Sequence, residues 1–128
     1  MAVAIIRRLV VWVWCFPQQM AGLIIKTLLR PTKMNGYYAY NIKCGSLSLG
    51  EYIFLCPAHQ GNKTVLSHEQ GHTKQSYILG WLWVPLVGIP SLIWAGCFGW
   101  LRKKYNIEYY SFYTEKTADM LGGVKRGQ

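Results

Sequence analysis

The chain has 128 residues, the length of one domain. Hydrophobic residues make up 52% and charged residues only 15%, where soluble domains carry about 25% charged residues, so the composition argues against an ordinary soluble surface. Net charge is +9. The basic residues sit beside apolar stretches: Arg7, Arg8, Lys26, Arg30 and Lys33 around one, Arg102, Lys103 and Lys104 after another. That placement suits an anionic lipid membrane, with the basic segments on its cytoplasmic side, and no nucleic-acid partner is expected.

Residues 1–30 hold a basic pair, an apolar run over 9–16, Pro17-Gln18-Gln19, and a second apolar run over 20–29. The beginning looks like a signal peptide but has no small-x-small cleavage pattern. The run before Pro17 is shorter than the roughly 20 residues a span needs. The stretch therefore reads as one amphipathic or partly inserted helix kinked near Pro17, with a single tilted span as the competing reading.

A turn-rich break over 31–36 precedes β-forming residues at 37–42 and 47–55. These predict a β-hairpin over 37–56, joined near Cys44-Gly45-Ser46. A lone hairpin is marginal, so this one must pack on a helix or on lipid. Tyr52, Ile53, Phe54 and Leu55 are its most strand-like part. As an exposed edge they would take a peptide substrate as an added strand, with ordinary packing an equal alternative. The four cysteines form no C-x-x-C pair. Cys15 and Cys97 read as small packing residues. Cys44 and Cys56 flank the hairpin, and the charge pattern favours reduced thiols over a disulfide.

Asn62 or Thr64 can cap a helix over 64–79 that Gly80 ends. This helix carries His68-Glu69-Gln70-Gly71-His72, an H-E-x-x-H pattern. Residues four apart share one helix face, so both imidazoles can turn to one Zn2+ ion. Glu69, next to the first of them, can take a proton from a water held there. His59 lies in the preceding loop and reads as solvated.

A catalytic zinc takes three protein ligands and keeps one open position. Only five acidic residues are available: Glu51, Glu69, Glu108, Glu115 and Asp119. Glu115 and Asp119 are four apart on a helix expected over 105–121. Glu115 can bind the metal, and Asp119 can accept a hydrogen bond from the far nitrogen of a ligating histidine. Glu108 is the rival third ligand, and Glu51 reads as a solvated strand residue. Tyr109, Tyr110 and Tyr113 lie near enough to be considered as oxyanion donors, but most such tyrosines pack or face an interface.

His68-Glu69-x-x-His72 followed by Glu115-x-x-Ala118-Asp119 resembles the gluzincin metalloproteases. Within them it is most similar to the membrane branch, the prenyl-protein (CAAX) endopeptidase and heat-shock membrane endopeptidases. The resemblance covers about a quarter of the chain, which is much shorter than those enzymes and lacks their long transmembrane helices. It implies a minimal zinc metalloendopeptidase with His68, His72 and Glu115 as metal ligands, Glu69 as general base and Asp119 behind a ligand. Its substrate would be a peptide or a membrane protein. No Asn-Pro-Asp-Gly-like segment of the site-2 protease kind is present. The other reading is a non-catalytic, zinc-stabilised membrane binding or regulatory protein, which a fourth protein ligand such as His59 or Cys56 would favour.

Residues 81–101 contain no charge and are long enough to span, but Pro85, Gly88, Pro90, Gly96 and Gly99 interrupt them. A straight span would part His72 from Glu115 by about 30 Å. The third ligand therefore predicts a re-entrant pair of short helices meeting near Gly88-Ile89-Pro90. The expected fold is α+β and mostly helical: zincin-like, with a small hairpin and apolar membrane-associated helices, in one domain.

Overall fold

The computed structural model describes residues 1–43 and 45–126. Among them are six α-helices and one four-stranded mixed sheet, a mostly helical α+β fold. The apolar residues 1–30 form two helices, α1 (Ala2–Trp14) and α2 (Phe16–Leu29), set at 99°. The expected single kinked helix is thus a full corner, placed at Cys15 just before the proline. Pro17 sits in the first turn of α2, where its missing N–H leaves no helical bond unmade. No residue of α1 is buried. Its end is tied down by indoles: Trp14 Nε1 donates to the Tyr77 carbonyl and Trp81 Nε1 to that of Val13.

The sheet contains β1 (Thr32–Lys33), β2 (Tyr38–Ala39), β3 (Leu47–Leu49) and β4 (Tyr52–Leu55), in the order β1-β2-β4-β3. The hairpin is β3–β4, antiparallel with Leu47 opposite Phe54, and β2 pairs parallel with β4. The expected turn near 44–46 is therefore wrong. The tight turn is Gly50–Glu51, with Gly50 at φ +62°, as a glycine opening a two-residue hairpin turn requires. The expected substrate edge is corrected with it. Tyr52, Ile53, Phe54 and Leu55 form an inner strand paired on both sides, and the last three are buried. The free edge next to the hairpin belongs to β3. Tyr38, Tyr40 and Tyr52 pack around Phe54. The Cys44–Cys56 question lies outside the described residues; Cys56 itself is buried, its sulfur 3.2 Å from His59 Nδ1.

Helix α3 (Lys63–Leu79) begins where the sequence places it. Asn62 Oδ1 accepts from the amides of Thr64 and Val65 at 3.0 and 3.1 Å. Gly80 ends it at φ +59°, ψ −128°, backbone open to glycine almost alone. A 3-10 turn (Gly80–Leu82) and a π-helical segment (Val84–Gly88) lead into α4 (Ile89–Cys97) and α5 (Gly99–Tyr105). The expected break at 88–90 is absent: the helical path runs through it and bends by 66° at Phe98 instead. Pro90 cannot donate to the Leu86 carbonyl four residues back. The Tyr113 hydroxyl does so in its place, at 2.7 Å. Among the described residues no single helix is long and apolar enough to cross a membrane. The pairs α1–α2 and Val84–Cys97 with α5 pass by length and composition, each as a bent pair.

The last helix is shorter than the expected 105–121. Asn106 stops α5 in the left-handed region at φ 52°, which asparagine tolerates. A 3-10 turn (Tyr109–Ser111) follows, and α6 spans Tyr113–Gly122. Helix α6 lies backbone-close on α3. A Cβ at Gly71 would stand 1.8 Å from the Ala118 carbonyl oxygen, and one at Gly122 would stand 2.0 Å from that of Ser67. The small residues inside both motifs are what let the two helices meet.

Candidate metal centre

The inward face of α3 carries His68 and His72, their rings nearly perpendicular at 88°. Each imidazole is fixed from behind. His68 Nδ1 lies 2.7 Å from Asp119 Oδ1, and His72 Nδ1 lies 2.7 Å from Gln75 Oε1. Gln75 donates its own amide to the Thr114 carbonyl at 2.9 Å, so its oxygen must be the atom facing His72. Both acceptors put a proton on Nδ1 and leave Nε2 facing inward. The two Nε2 atoms converge on one oxygen, Glu115 Oε1, at 3.1 and 3.2 Å. The other carboxylate oxygen, Oε2, accepts from Ser91 Oγ at 2.6 Å and from Thr114 Oγ1 at 2.9 Å. Glu115 is thereby held with one oxygen committed to hydroxyls and the other facing the histidines.

The three side chains are buried, and their ligand atoms lie within 4.8 Å of one another. Burial opposes the charged form of His72. The hydrogen bond to Glu115 and the charges of Glu69 and Glu115 outweigh it, and raise the imidazole above its ordinary value. Burial likewise opposes ionisation of Glu115, but the bonds from His68 and His72 hold its carboxyl far below the usual range. The two Nε2 atoms and Glu115 Oε1 thus already face one another at contact distance, the convergence a shared cation needs. Two imidazole nitrogens and one carboxylate oxygen, buried and held from behind, are a donor set that fits a divalent metal ion such as zinc.

Glu69 is buried beside the triad. Burial raises its carboxyl, against the lowering charges of His72 and His68. Glu69, His72 and Glu115 line a cavity of about 360 Å³. Its other walls come from α2, β3 and the Trp83–Ala95 stretch, and they are mostly apolar. Tyr109 is also in the wall; burial and the nearby carboxylates raise its hydroxyl, which stays a donor. Tyr110 sets its ring edgewise on His68, with centroids 5.1 Å apart. Tyr113 is 54% exposed and bonds Leu86, so it stands away from the triad.

The structure thus brings His68, His72, Glu115, Asp119 and Glu69 together and leaves the other candidates outside. Glu108 is exposed. Glu51 sits in the hairpin turn, bonded by Gln19 and Tyr77. His59 bonds Ser46 at 2.7 Å and faces the Cys56 thiol, apart from the triad. Four site residues escaped the sequence reading: Gln75, Ser91, Thr114 and Arg126. Gln75 left a signal, since it lies three residues after His72 and so on the same face. Ser91 left none, because only tertiary packing brings it to Glu115.

What these groups can do chemically is read from their own atoms: in comparisons with known proteins, no family model, no curated protein and no solved structure matches the chain.

Proposed function

We propose that the chain is a zinc-dependent endopeptidase of the gluzincin kind, acting at a membrane surface. One observation carries the reading. Two imidazole Nε2 atoms and one carboxylate oxygen converge beside a buried glutamate, Glu69, at the wall of an apolar cavity. His68, His72 and Glu115 would hold the ion. When bound, zinc supplies the Lewis acidity that makes a water acidic near neutral pH and polarises a carbonyl. Glu69 takes the proton of the attacking water on its carboxylate and passes it to the leaving amine nitrogen. A carboxyl raised by burial keeps a proton it has taken more readily than an ordinary one, as the second half of that transfer requires. Tyr109, kept protonated, offers a hydroxyl from the cavity wall to an oxygen that gains negative charge.

Three features support a peptide as substrate. The β3 edge, Leu47–Leu49, lines the cavity with its outer side unpaired, ready to bond an extended chain. The largely apolar walls favour apolar side chains beside the scissile bond. Gln18 and Trp83 line the same cavity, and each keeps one buried polar atom without a partner, an acceptor and an indole donor. A peptide group offers the complementary donor and acceptor. A structural zinc site is closed by a fourth protein ligand. Among the described residues the group has three, and Cys56 and His59 face each other elsewhere, which favours catalysis over the purely structural reading. Membrane attachment is supported by the exposed apolar side chains of α1 and of the 81–100 stretch, with basic residues beside them.

The test is zinc content of the detergent-purified protein, followed by cleavage of a peptide library. Wild type is expected to hold about one zinc per chain, as a three-ligand site does, and Glu115→Ala to lose most of it. Glu69→Gln should keep the metal and cleave nothing. A Glu69→Gln protein that cleaves like wild type removes Glu69 from the mechanism, and a wild type that takes up no zinc removes the function.

A further inference from the structure

Asp119 faces two ways. Its Oδ1 takes the Nδ1 proton of His68. From the other side comes Arg126, four residues beyond the end of α6. Gly123 turns the chain at φ +74°, and the Val124 amide closes the turn on the Asp119 carbonyl at 2.8 Å. The turn brings the guanidinium back onto the helix it has just left. Arg126 Nε lies 2.7 Å from Asp119 Oδ2, and its Nη2 lies 3.2 Å from Oδ1. This is the two-pronged arrangement that a planar guanidinium makes with a carboxylate and an ammonium cannot. The central carbon of the same guanidinium lies over the Tyr110 ring, 3.4 Å from its centroid. Tyr110 in turn sets its edge on the His68 imidazole. His68 is thus gripped from two directions by one residue, through Asp119 at its nitrogen and through Tyr110 at its ring.

We infer that Arg126 is a positioning residue of the metal centre, one that sets the orientation of His68 through Asp119 and Tyr110 without touching the ion. This rests on the metal-site reading above and not on the peptidase reading. A carboxylate free to rotate about its own Cβ–Cγ bond holds an imidazole in a range of orientations. Pinned by two parallel bonds, it holds one. The ligand then meets the ion already aligned, and little ordering is left to be done on binding. Partners behind a ligating histidine are worth about 10–100-fold in metal affinity, and Arg126 acts one step further out. A loss of about tenfold on its removal is therefore the expected size, from the lower end of that range.

The experiment measures zinc dissociation constants of the full chain by chelator competition, with zinc alone as the probe. It compares wild type, Arg126→Gln, Arg126→Lys, Asp119→Asn and the double variant Arg126→Gln/Asp119→Asn. Melting of the metal-free proteins is followed alongside, to separate site from fold. The visible spectrum of the cobalt-loaded proteins reports ligand geometry directly. Arg126→Gln should bind zinc about tenfold more weakly and shift the cobalt bands, with metal-free melting little changed. Arg126→Lys should recover only part of the affinity, because the charge returns without the planar fork. In the Asp119→Asn background, Arg126→Gln should cost much less than it does alone. Unchanged zinc affinity and cobalt spectrum in Arg126→Gln overturn the inference, as does an equal loss with and without Asp119. If Arg126→Gln fails to fold, the Arg126→Lys spectrum decides: bands identical to wild type, with equal affinity, overturn it. A wild type that binds no zinc overturns the metal site itself, a result distinct from all of these.

Discussion

The seam between α3 and α6 and the outer layer of α1 and α4 are built on opposite rules. Along the seam the buried side chains are His68, Glu69, His72, Gln75, Thr114, Glu115 and Asp119, with Ala118 the apolar exception on α6. In the outer layer Val3, Ile6, Leu9 and Val13 of α1 and Leu92 of α4 face outward, and α1 buries nothing. Burying polar groups is costly unless each finds a partner. For His68, His72, Gln75, Glu115 and Asp119 the seam meets that demand with hydrogen bonds, most of them crossing between the helices, and a backbone approach that only glycine permits brings the helices close enough to make them. Exposing apolar groups is costly in water but not against lipid. The chain thus keeps its polar interior around the group that could hold a metal and leaves apolar side chains on its exterior.

The largest effect that could break this contrast is steric. Gly71→Ala drives a methyl into the Ala118 carbonyl at 1.8 Å, and main chain cannot swing aside as a side chain would. Overpacking commonly costs about 1–3 kcal/mol and at times more, so a loss near or above the top of that range is expected in chemical denaturation. A variant as stable as wild type would mean that α3 and α6 do not meet backbone to backbone.

An intermediate effect sharpens the account of the seam through pH. His72 is raised in the folded state, so its contribution to stability is complete below its unfolded pKa and fades as pH rises through the folded one. Glu69, raised by burial, acts with the same sign. Glu115 is depressed, so its contribution is present above the ordinary carboxylate range and is lost progressively as pH falls below it. The metal-free protein should therefore melt at lower temperature as pH rises through the imidazole range. Zinc should flatten or reverse that slope, because protons compete with the ion for the same nitrogen. Melting curves across this window with and without zinc check it; parallel slopes would take His72 out of the ligand set.

The smallest effect on folding belongs to the outer layer. Leu9→Ser on the exposed face of α1 should change stability by no more than about 0.5 kcal/mol, as surface substitutions do. Its binding to vesicles containing anionic lipid should nonetheless weaken several-fold by flotation. A clear fall in stability would place that face against protein.

The sequence was informative where chemistry and local geometry coincide. His68 with His72 and Glu115 with Asp119 are one helical turn apart, so each pair shows its shared face without any fold. Asn62 and Gly80 bound α3 through interactions with their immediate neighbours, and both were legible for that reason. The strand order was not. Whether β4 pairs with β2 or lies at an edge depends on a parallel partner far along the chain, and β-propensity is silent on partners. The corner at Cys15 and the bend at Phe98 were displaced for a related reason. In a sequence proline marks the break, yet Pro17 sits in a first helical turn and Pro90 is accommodated by a hydroxyl from another helix. Ser91, Thr114 and Arg126 are ordinary residues locally and acquire a role only through what folding brings beside them.

The divided carboxylate of Glu115 has a mechanical consequence. One oxygen faces the imidazoles of α3, and the other is fastened to Ser91 on α4 and to its neighbour Thr114. Helix α4 belongs to the apolar layer, so any tilt of that helix would act as a torque on a single carboxylate about its Cγ–Cδ bond. The lever is short and its load is the angle at which one oxygen faces two nitrogens. The outer surface and the buried centre are therefore joined through one hydrogen bond, Ser91 to Glu115.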